Sequence, residues 1–216
     1  METYLLRVWL PDRPGALGAV ASRIGAVKGD VIGIEILETG DGRAVDELVV
    51  RVPEATPIDL LVEEVRQVDE VHVEDLAPTG EAGHDPRLAG LEAAAALAGA
   101  ADLPALLAAF DAHGAAAVGA TWTALVDPAA GRVLRATGPA VPAEAWLVAF
   151  AAASDPAAGT ACGTGSSDVV VATAEPAELR VVAGRDRVPW RTREARHVAT
   201  FARILGHRVA ALSPRG

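Results

Sequence analysis

The sequence predicts an α+β protein in which a βαββαβ, ferredoxin-like sandwich precedes a second domain with an antiparallel sheet and enclosing helices. Apolar residues alternate with a period of two in some segments and recur every three or four residues in others. A stretch rich in proline and glycine, 77–86, separates two such patterned regions. The chain has 216 residues, of which 51% are apolar, enough for a core in each half. We therefore divide it into a domain at 1–76, a linker at 77–86 and a domain at 87–216.

The elements of the first region follow one another in a legible order. The pattern predicts a strand over 4–9, a helix over 17–27, strands over 31–38 and 44–52, a helix over 58–68 and a strand over 71–76. Right-handed crossovers place both helices on one face of a four-stranded antiparallel sheet. We expect the helix-facing side of that sheet to carry an apolar set: Tyr4, Leu6, Val8, Ile32, Ile34, Ile36, Leu48, Val50, Val52, Val71 and Val73.

The opposite face of the predicted sheet is half polar. It can face water, and its apolar members leave enough area for a partner or the second domain to cover part of it. The residues expected there are Arg7, Trp9, Glu35, Val45, Glu47, Val49, Arg51, His72 and Glu74.

The most informative segment is the loop between the first strand and the first helix, Asp12-Arg-Pro-Gly-Ala-Leu17. Pro14 presets the backbone for a helix start, and Gly15 removes a side chain where the chain turns. The free N–H groups of the first helical turn and the positive end of the helix dipole attract a carboxylate. Asp12 can cap that turn or reach outward to an ammonium group. One loop thus offers partners for both ends of an amino acid.

This hexapeptide in its βαββαβ context resembles the signature of ACT domains, over roughly residues 3–76. The resemblance implies a domain that binds an amino acid or a similar small effector where two copies pack together. A domain that has lost its ligand and keeps only the fold is the alternative. By resemblance, the effector contacts the loop and the start of the second strand: Asp12, Pro14, Gly15, Ala16, Leu17, Val31, Ile32 and Gly33.

The second region is predicted to be α+β as well. Helices are expected over 87–115 (divided near 101–104), 142–153 and 190–212, and strands over 118–126, 132–137, 168–173 and 178–182. The segment Val181–Trp190, followed by Glu194 and a helix, is similar to the end of GAF domains. That resemblance implies a pocket for a small ligand such as a cyclic nucleotide or a tetrapyrrole, although many members of the family have no known ligand.

Two features of the second region are candidates for ligand contact. The segment Ala157–Ser167 is rich in Gly, Ser and Thr and could cradle a polar ligand, although a surface loop explains it equally well. Trp122 and Trp146 could line a cavity, but core packing is the commoner place for a tryptophan.

Charge and composition exclude several classes of function. The net charge is −10, and residues 1–80 contain 16 acidic and 7 basic side chains, so nucleic-acid binding is not expected. No apolar run reaches the length of a membrane span, and no signal peptide follows Met1, so we expect a cytoplasmic protein without a membrane partner. The single cysteine, Cys162, rules out an internal disulfide.

No catalytic constellation is visible. The five histidines are scattered and match no metal spacing, and there is no Gly-x-Ser-x-Gly elbow. We therefore expect no enzyme activity, no metal and no cofactor. The sequence instead predicts an amino-acid sensor that forms a homodimer through its first domain. A ligand-free adaptor or dimerisation scaffold that docks onto a partner protein is the alternative.

Overall fold

The computed structural model describes residues 1–79, 85–154, 161–162 and 168–213. The chain divides into two compact units, Met1–His84 and Asp85–Gly216. Unit 1 and unit 2 each have their own sheet and their own hydrophobic core.

Unit 1 has the predicted βαββαβ order. Its elements are β1 (Glu2–Pro11), α1 (Ala16–Ala26), β2 (Asp30–Gly40), β3 (Arg43–Val52), α2 (Ile58–Arg66) and β4 (His72–Thr79). The strands form an antiparallel sheet in the order β2-β3-β1-β4, so each helix crosses over a strand to reach the next one. The predicted fold class is confirmed.

The last strand of unit 1 is longer than the sequence predicted. Leu5, Tyr4 and Thr3 on β1 pair with Ala77, Pro78 and Thr79 on β4. The chain therefore stays in the sheet for three residues of the segment predicted as a linker. Proline is compatible with this position because β4 is the edge strand of the sheet. The remainder of that segment, 80–84, lies outside the described residues.

The core of unit 1 lies between the helices and one face of the sheet. Tyr4 and Val73 of the predicted apolar set are partly buried and pack against this core. Six members of the set are buried in it: Leu6, Val8, Leu48, Val50, Val52 and Val71. Ile34 and Ile36 lie opposite Leu48 and Asp46, hence on the predicted helix-facing side, but Ile32, Ile34 and Ile36 are not buried: they are 45%, 50% and 48% exposed. The reason is that β2 forms an edge of the sheet and is irregular, with register shifts at 31–33 and 36–38.

The opposite face of this sheet is more enclosed than its polarity suggested. Arg7 and Glu47 are opposite each other on β1 and β3, and both are buried. The Nη2 atom of Arg7 lies 2.6 Å from Oε2 of Glu47, so the two charges compensate each other. Val45 on the same face has no exposed surface. Of the two possibilities that the sequence left open for this face, contact with water or partial cover, these three residues are covered.

Unit 2 is an α+β domain with its own antiparallel sheet. Its elements are α3 (Pro86–Gly99), α4 (Leu103–Val118), β5 (Trp122–Asp127), β6 (Arg132–Thr137), α5 (Glu144–Ala153), β7 (Ala161–Cys162), β8 (Asp168–Ala174), β9 (Leu179–Arg185) and α6 (Thr192–Leu212). The described strands are ordered β6-β5-β9-β8-β7. Asp85 and Asp102 cap α3 and α4 by accepting backbone N–H groups of the first turns.

Two details of unit 2 differ from the prediction. Val118 ends α4 instead of starting a strand, because Gly119 takes the left-handed conformation that commonly ends a helix. Ala161 and Cys162, predicted as loop, pair with Val171 and Val170 as a short edge strand.

Both faces of the unit 2 sheet are covered. On one face, α4 and α6 meet at Phe110 and Phe201, whose ring centroids are 6.0 Å apart. On the other face, Leu147 of α5 packs in a cluster with Trp122. The covered sheet is consistent with the strongly apolar strands of this unit.

A buried ion pair holds the connection between β9 and α6. Arg185 and Glu194 form two hydrogen bonds, with N···O distances of 2.6 and 2.7 Å. Arg185 also donates to the carbonyl oxygen of Val188 and lies over the ring of Trp190, 4.1 Å from its centroid. Glu194 accepts the backbone N–H of Arg191 at the start of α6. The segment from Val181 to Trp190 is therefore held in a fixed conformation at the start of α6.

Candidate ligand-binding site

The candidate site begins at the loop that joins β1 to α1. Gly15 occupies the position before the helix with φ of 91°, in the left-handed region that favours glycine. No side chain caps α1, so the sequence-based suggestion that Asp12 caps this turn was wrong. The backbone N–H of Asp12 instead donates to the carbonyl oxygen of Gly42, at 2.9 Å. The side chain of Asp12 is exposed and thus available to a ligand.

The loop residues predicted to contact an effector are next to one another. Pro14 and Gly15 are exposed, Leu17 is half-buried, and Ala16 is buried in the core of unit 1. A Cβ atom on Gly15 would have no neighbour within 4 Å, so the space in front of the loop is open. The open surface and the uncapped helix start are compatible with a bound carboxylate.

The other predicted residues, 31–33, lie at the far end of the sheet. Pro11, just before the loop, pairs with Arg43 of β3, whereas Val31 pairs with Val50 of the same strand. At about 3.3 Å per residue along β3, the two ends are about 20 Å apart. A single chain therefore does not bring the two halves of the predicted site together.

Sequence reasoning missed one acidic residue near the loop. Asp46 belongs to the same face of β3 as Ala44 and Leu48, which are both in the core. It is 2% exposed, and its Oδ1 atom has no hydrogen-bond partner among the residues that the structure describes. Residues 44, 46 and 48 of a strand lie on the same face, so the alternation along β3 already predicts that Asp46 is on the helix-facing side of the sheet.

The electrostatic environment of Asp46 is unfavourable for its charged form. Burial raises the pKa of the Asp46 carboxyl above its ordinary value of 3.8, and the charge of Asp12 raises it further. The folded chain therefore favours the protonated form of this carboxyl more than an exposed aspartate would.

Unit 2 offers less for ligand binding. Trp122 is 4% exposed and belongs to the core, whereas Trp146 is 42% exposed and stacks on Phe150 with ring centroids 4.8 Å apart. The two tryptophans suggested as cavity residues therefore have different surroundings. A shallow cavity of about 380 Å³ lies between β6 and the start of α5. Of the Gly/Ser/Thr-rich segment 157–167, all but 161–162 lies outside the described residues.

The described parts of the chain contain no group of three or more His, Cys, Asp or Glu side chains arranged to hold a metal ion. None of the helices there combines the length and the apolar character needed to cross a membrane.

Comparison with known proteins gives distant structural neighbours. A formyltetrahydrofolate deformylase from Pseudomonas putida is 15% identical, with a TM-score of 0.31, over 35% of this chain and 28% of that one. The ACT domain of a GTP pyrophosphokinase from Chlorobium tepidum is 17% identical, with a TM-score of 0.29, over 36% of this chain and 97% of that one. An unknown protein from Galdieria sulphuraria is 9% identical, with a TM-score of 0.33, over 97% and 94%.

The family comparison concerns unit 1. No curated protein matches the chain. This chain spans about a quarter of the deformylase, 28% of its length. The resemblance of unit 2 to GAF domains stays a prediction. The family model of the ACT domain matches residues 4–70, and unit 1 therefore belongs to the ACT domain family, in which regulatory ligand binding is typical.

Proposed function

We propose that this protein is an amino-acid-binding regulatory protein whose effector lies at the β1–α1 loop of the ACT domain, between two copies of the chain. The observation that carries the proposal is the loop itself. Gly15 leaves the surface open in front of an uncapped helix start, and Asp12 is exposed beside it. Backbone N–H groups suit the carboxylate of an amino acid, and the acid suits its ammonium group.

A second copy of the chain supplies residues 31–33, which lie too far from the β1–α1 loop of their own chain. If two β2 strands pair antiparallel, the start of one strand lies beside the end of the other. Residues 31–33 of the partner chain then approach the end of β2 where Thr39 pairs with Ala44, near the loop. The separation of about 20 Å within one chain thus supports a site shared by two chains.

The exposed side chains of β2 support the same pairing. Ile32 and Ile34 are about half exposed on an edge strand. The outer backbone N–H and C=O groups of an edge strand can pair with another strand. Isologous pairing about a twofold axis joins this strand to its own copy and closes the assembly at a dimer.

Regulation follows from the shared site. A ligand that contacts both chains binds the dimer more tightly than the monomer, so it shifts the population toward the dimer. The change in pairing is the signal that a downstream process reads. Action in the cytoplasm remains the expectation from the sequence.

A thermal-shift screen of the purified protein against the twenty amino acids tests this function. At about a hundred times its dissociation constant, a ligand adds about 2.7 kcal/mol to the stability of the domain that binds it. We expect stabilisation by one chemical class of amino acid and none in Gly15→Val, where a branched side chain fills the open surface. Gly25→Ala, a glycine of α1 that also has open space around it, is the matched control and should respond like the wild type. A flat response to all twenty contradicts the proposal.

The second candidate is a ligand-free adaptor. It is favoured by Leu88 and Leu91, which are 53% and 69% exposed and lie three residues apart on α3, hence on one side of that helix. Such apolar positions suit a partner protein. A flat thermal-shift screen would favour this function.

A further inference from the structure

The first helix of unit 2, α3, is apolar on two opposite sides. One side carries Ala93 and Leu97, which have no exposed surface and belong to the core of unit 2. The other side carries Leu88 and Leu91, which are 53% and 69% exposed. A helix at the surface of a domain ordinarily has a polar outer side, and a contiguous exposed apolar surface marks a contact with another molecule.

The exposed side of α3 has the spacing of a coiled-coil seam. Its apolar residues follow one another at intervals of three, four and three positions, and all of them are exposed: Leu88, Leu91, Ala95 and Ala98. This spacing alternates between the a and d positions of a heptad repeat, which form a narrow apolar stripe along one side of a helix. The small alanines allow the axis of another helix to approach closely. The stripe is therefore suited to a second helix.

The charged residues that flank the stripe indicate which helix that is. Arg87 lies on one side of the stripe, at a g position, and Glu92 lies on the other side, at an e position, and both are exposed. In a parallel pair of helices, a g residue of one chain lies beside the e residue five positions later in the other chain, and Arg87 and Glu92 have this separation. An antiparallel pair of the same helices would place arginine against arginine and glutamate against glutamate.

We infer that the α3 helices of two copies of this chain pair in parallel and in register along this stripe, with Arg87 of each copy bound to Glu92 of the other. The pairing is isologous about a twofold axis, so it closes at two copies. It lies in unit 2 and uses no residue of the ACT domain, so it is separate from the proposed pairing of the β2 strands.

The short length of the stripe does not prevent this pairing. An isolated helix of two heptads is only marginally stable, because its first turn is costly to form. In this protein α3 is already formed, since Asp85 caps its first turn and its other side packs in the core of unit 2. Association therefore does not have to provide the free energy of helix formation.

Sedimentation equilibrium of charge variants of the full chain tests the pairing. Arg87→Glu places glutamates next to each other and Glu92→Arg places arginines next to each other, so we expect each change to weaken the dimer at least about fivefold. The double variant Arg87→Glu/Glu92→Arg exchanges the two charges and should return the dissociation constant to within about twofold of the wild type. Arg203→Glu makes the same change in charge at an exposed position on α6 and is the matched control, which should also stay within about twofold.

A disulfide within the stripe reports the orientation of the two helices. In a chain whose Cys162 is replaced by serine, Ala95→Cys provides a single thiol at an a position. A parallel pair in register brings the two copies of position 95 face to face, at a Cα separation that a disulfide can span, about 4.4–6.8 Å. We expect a covalent dimer under mild oxidation, whereas Ala116→Cys, at an exposed position on α4, should remain monomeric.

Each result supports or overturns the inference. Single charge variants that associate like the wild type, or a double variant that is as weak as the single ones, overturn it. A disulfide that forms no faster at position 95 than at position 116 overturns the parallel arrangement and leaves the stripe to a different protein. A wild type that is monomeric at every concentration overturns this pairing and the pairing of β2. If Ile32→Ala/Ile34→Ala associates like the wild type while Arg87→Glu dissociates, the α3 pairing is supported and only the pairing of β2 fails.

Discussion

Truncation of the exposed isoleucines of β2 should dissociate the proposed dimer. The double variant Ile32→Ala/Ile34→Ala removes apolar groups that are 45% and 50% exposed in the single chain. Full burial of an isoleucine side chain contributes about 1.5–3 kcal/mol, so covering the exposed half contributes about 0.7–1.5 kcal/mol. Two residues on each of two chains give about 3–6 kcal/mol as an upper limit for the loss.

This loss corresponds to a weakening of the dimer by about two to four powers of ten. Sedimentation equilibrium over a range of protein concentrations measures the dissociation constant of each variant. Leu60→Ala is the matched control, because Leu60 is 40% exposed on α2, away from the sheet edge. We expect its dimer to be as stable as that of the wild type. A wild type that stays monomeric at every concentration, or a double variant that changes the constant less than threefold, refutes the reasoning.

Three further predictions concern single residues, and chemical denaturation measures the free energy of unfolding in each case. Gly15→Ala should lower the stability of unit 1 by about 1–2 kcal/mol, because the φ of 91° at this position is unfavourable for a residue with a Cβ atom. An unchanged unfolding midpoint would contradict this loop conformation. Arg185→Ala should lower the stability of unit 2 by about 3–5 kcal/mol, because it leaves the carboxylate of Glu194 buried without its partner. A loss below about 1 kcal/mol would show that the ion pair is not buried in solution. Because the pKa of Asp46 is raised, the folded state binds the carboxyl proton more tightly than the unfolded state does. The contribution of Asp46 to the free energy of unfolding is therefore greatest in acid. It falls as the pH rises from 3.8 through the raised pKa of the folded state. Asp46→Asn should therefore be more stable than the wild type at neutral pH, with a difference that shrinks in acid, and the opposite trend would contradict the assigned environment.

Much of the fold of unit 1 followed from the sequence because its patterns are local. Strand alternation and helical spacing are read over a few residues, and turn signals such as Gly40-Asp-Gly42 bound the elements. These signals led to the correct order of strands and helices and to the ACT family. The loop that contains Gly15 was identified for the same reason, since its turn chemistry is visible in consecutive residues.

The sequence could not show how the strands are aligned with one another. The exposure of Ile34 depends on β2 being an edge strand, and the burial of Arg7 depends on Glu47 lying opposite it. Both are consequences of pairing between distant residues. The strand register also separates residues 31–33 from the β1–α1 loop within one chain. The sequence pattern does not contain this distance. Asp46 interrupts the apolar residues on the helix-facing side of β3, and the apolar pattern that predicts the core does not identify a buried acid.

The most direct test of the account is the affinity for the amino acid found in the screen, measured at protein concentrations below and above the dissociation constant of the dimer. If the ligand contacts two chains, its apparent affinity should rise as the protein passes from monomer to dimer, and the amino acid should in turn tighten the dimer by the same factor. An affinity that is the same for monomer and dimer would contradict a site shared between two ACT domains.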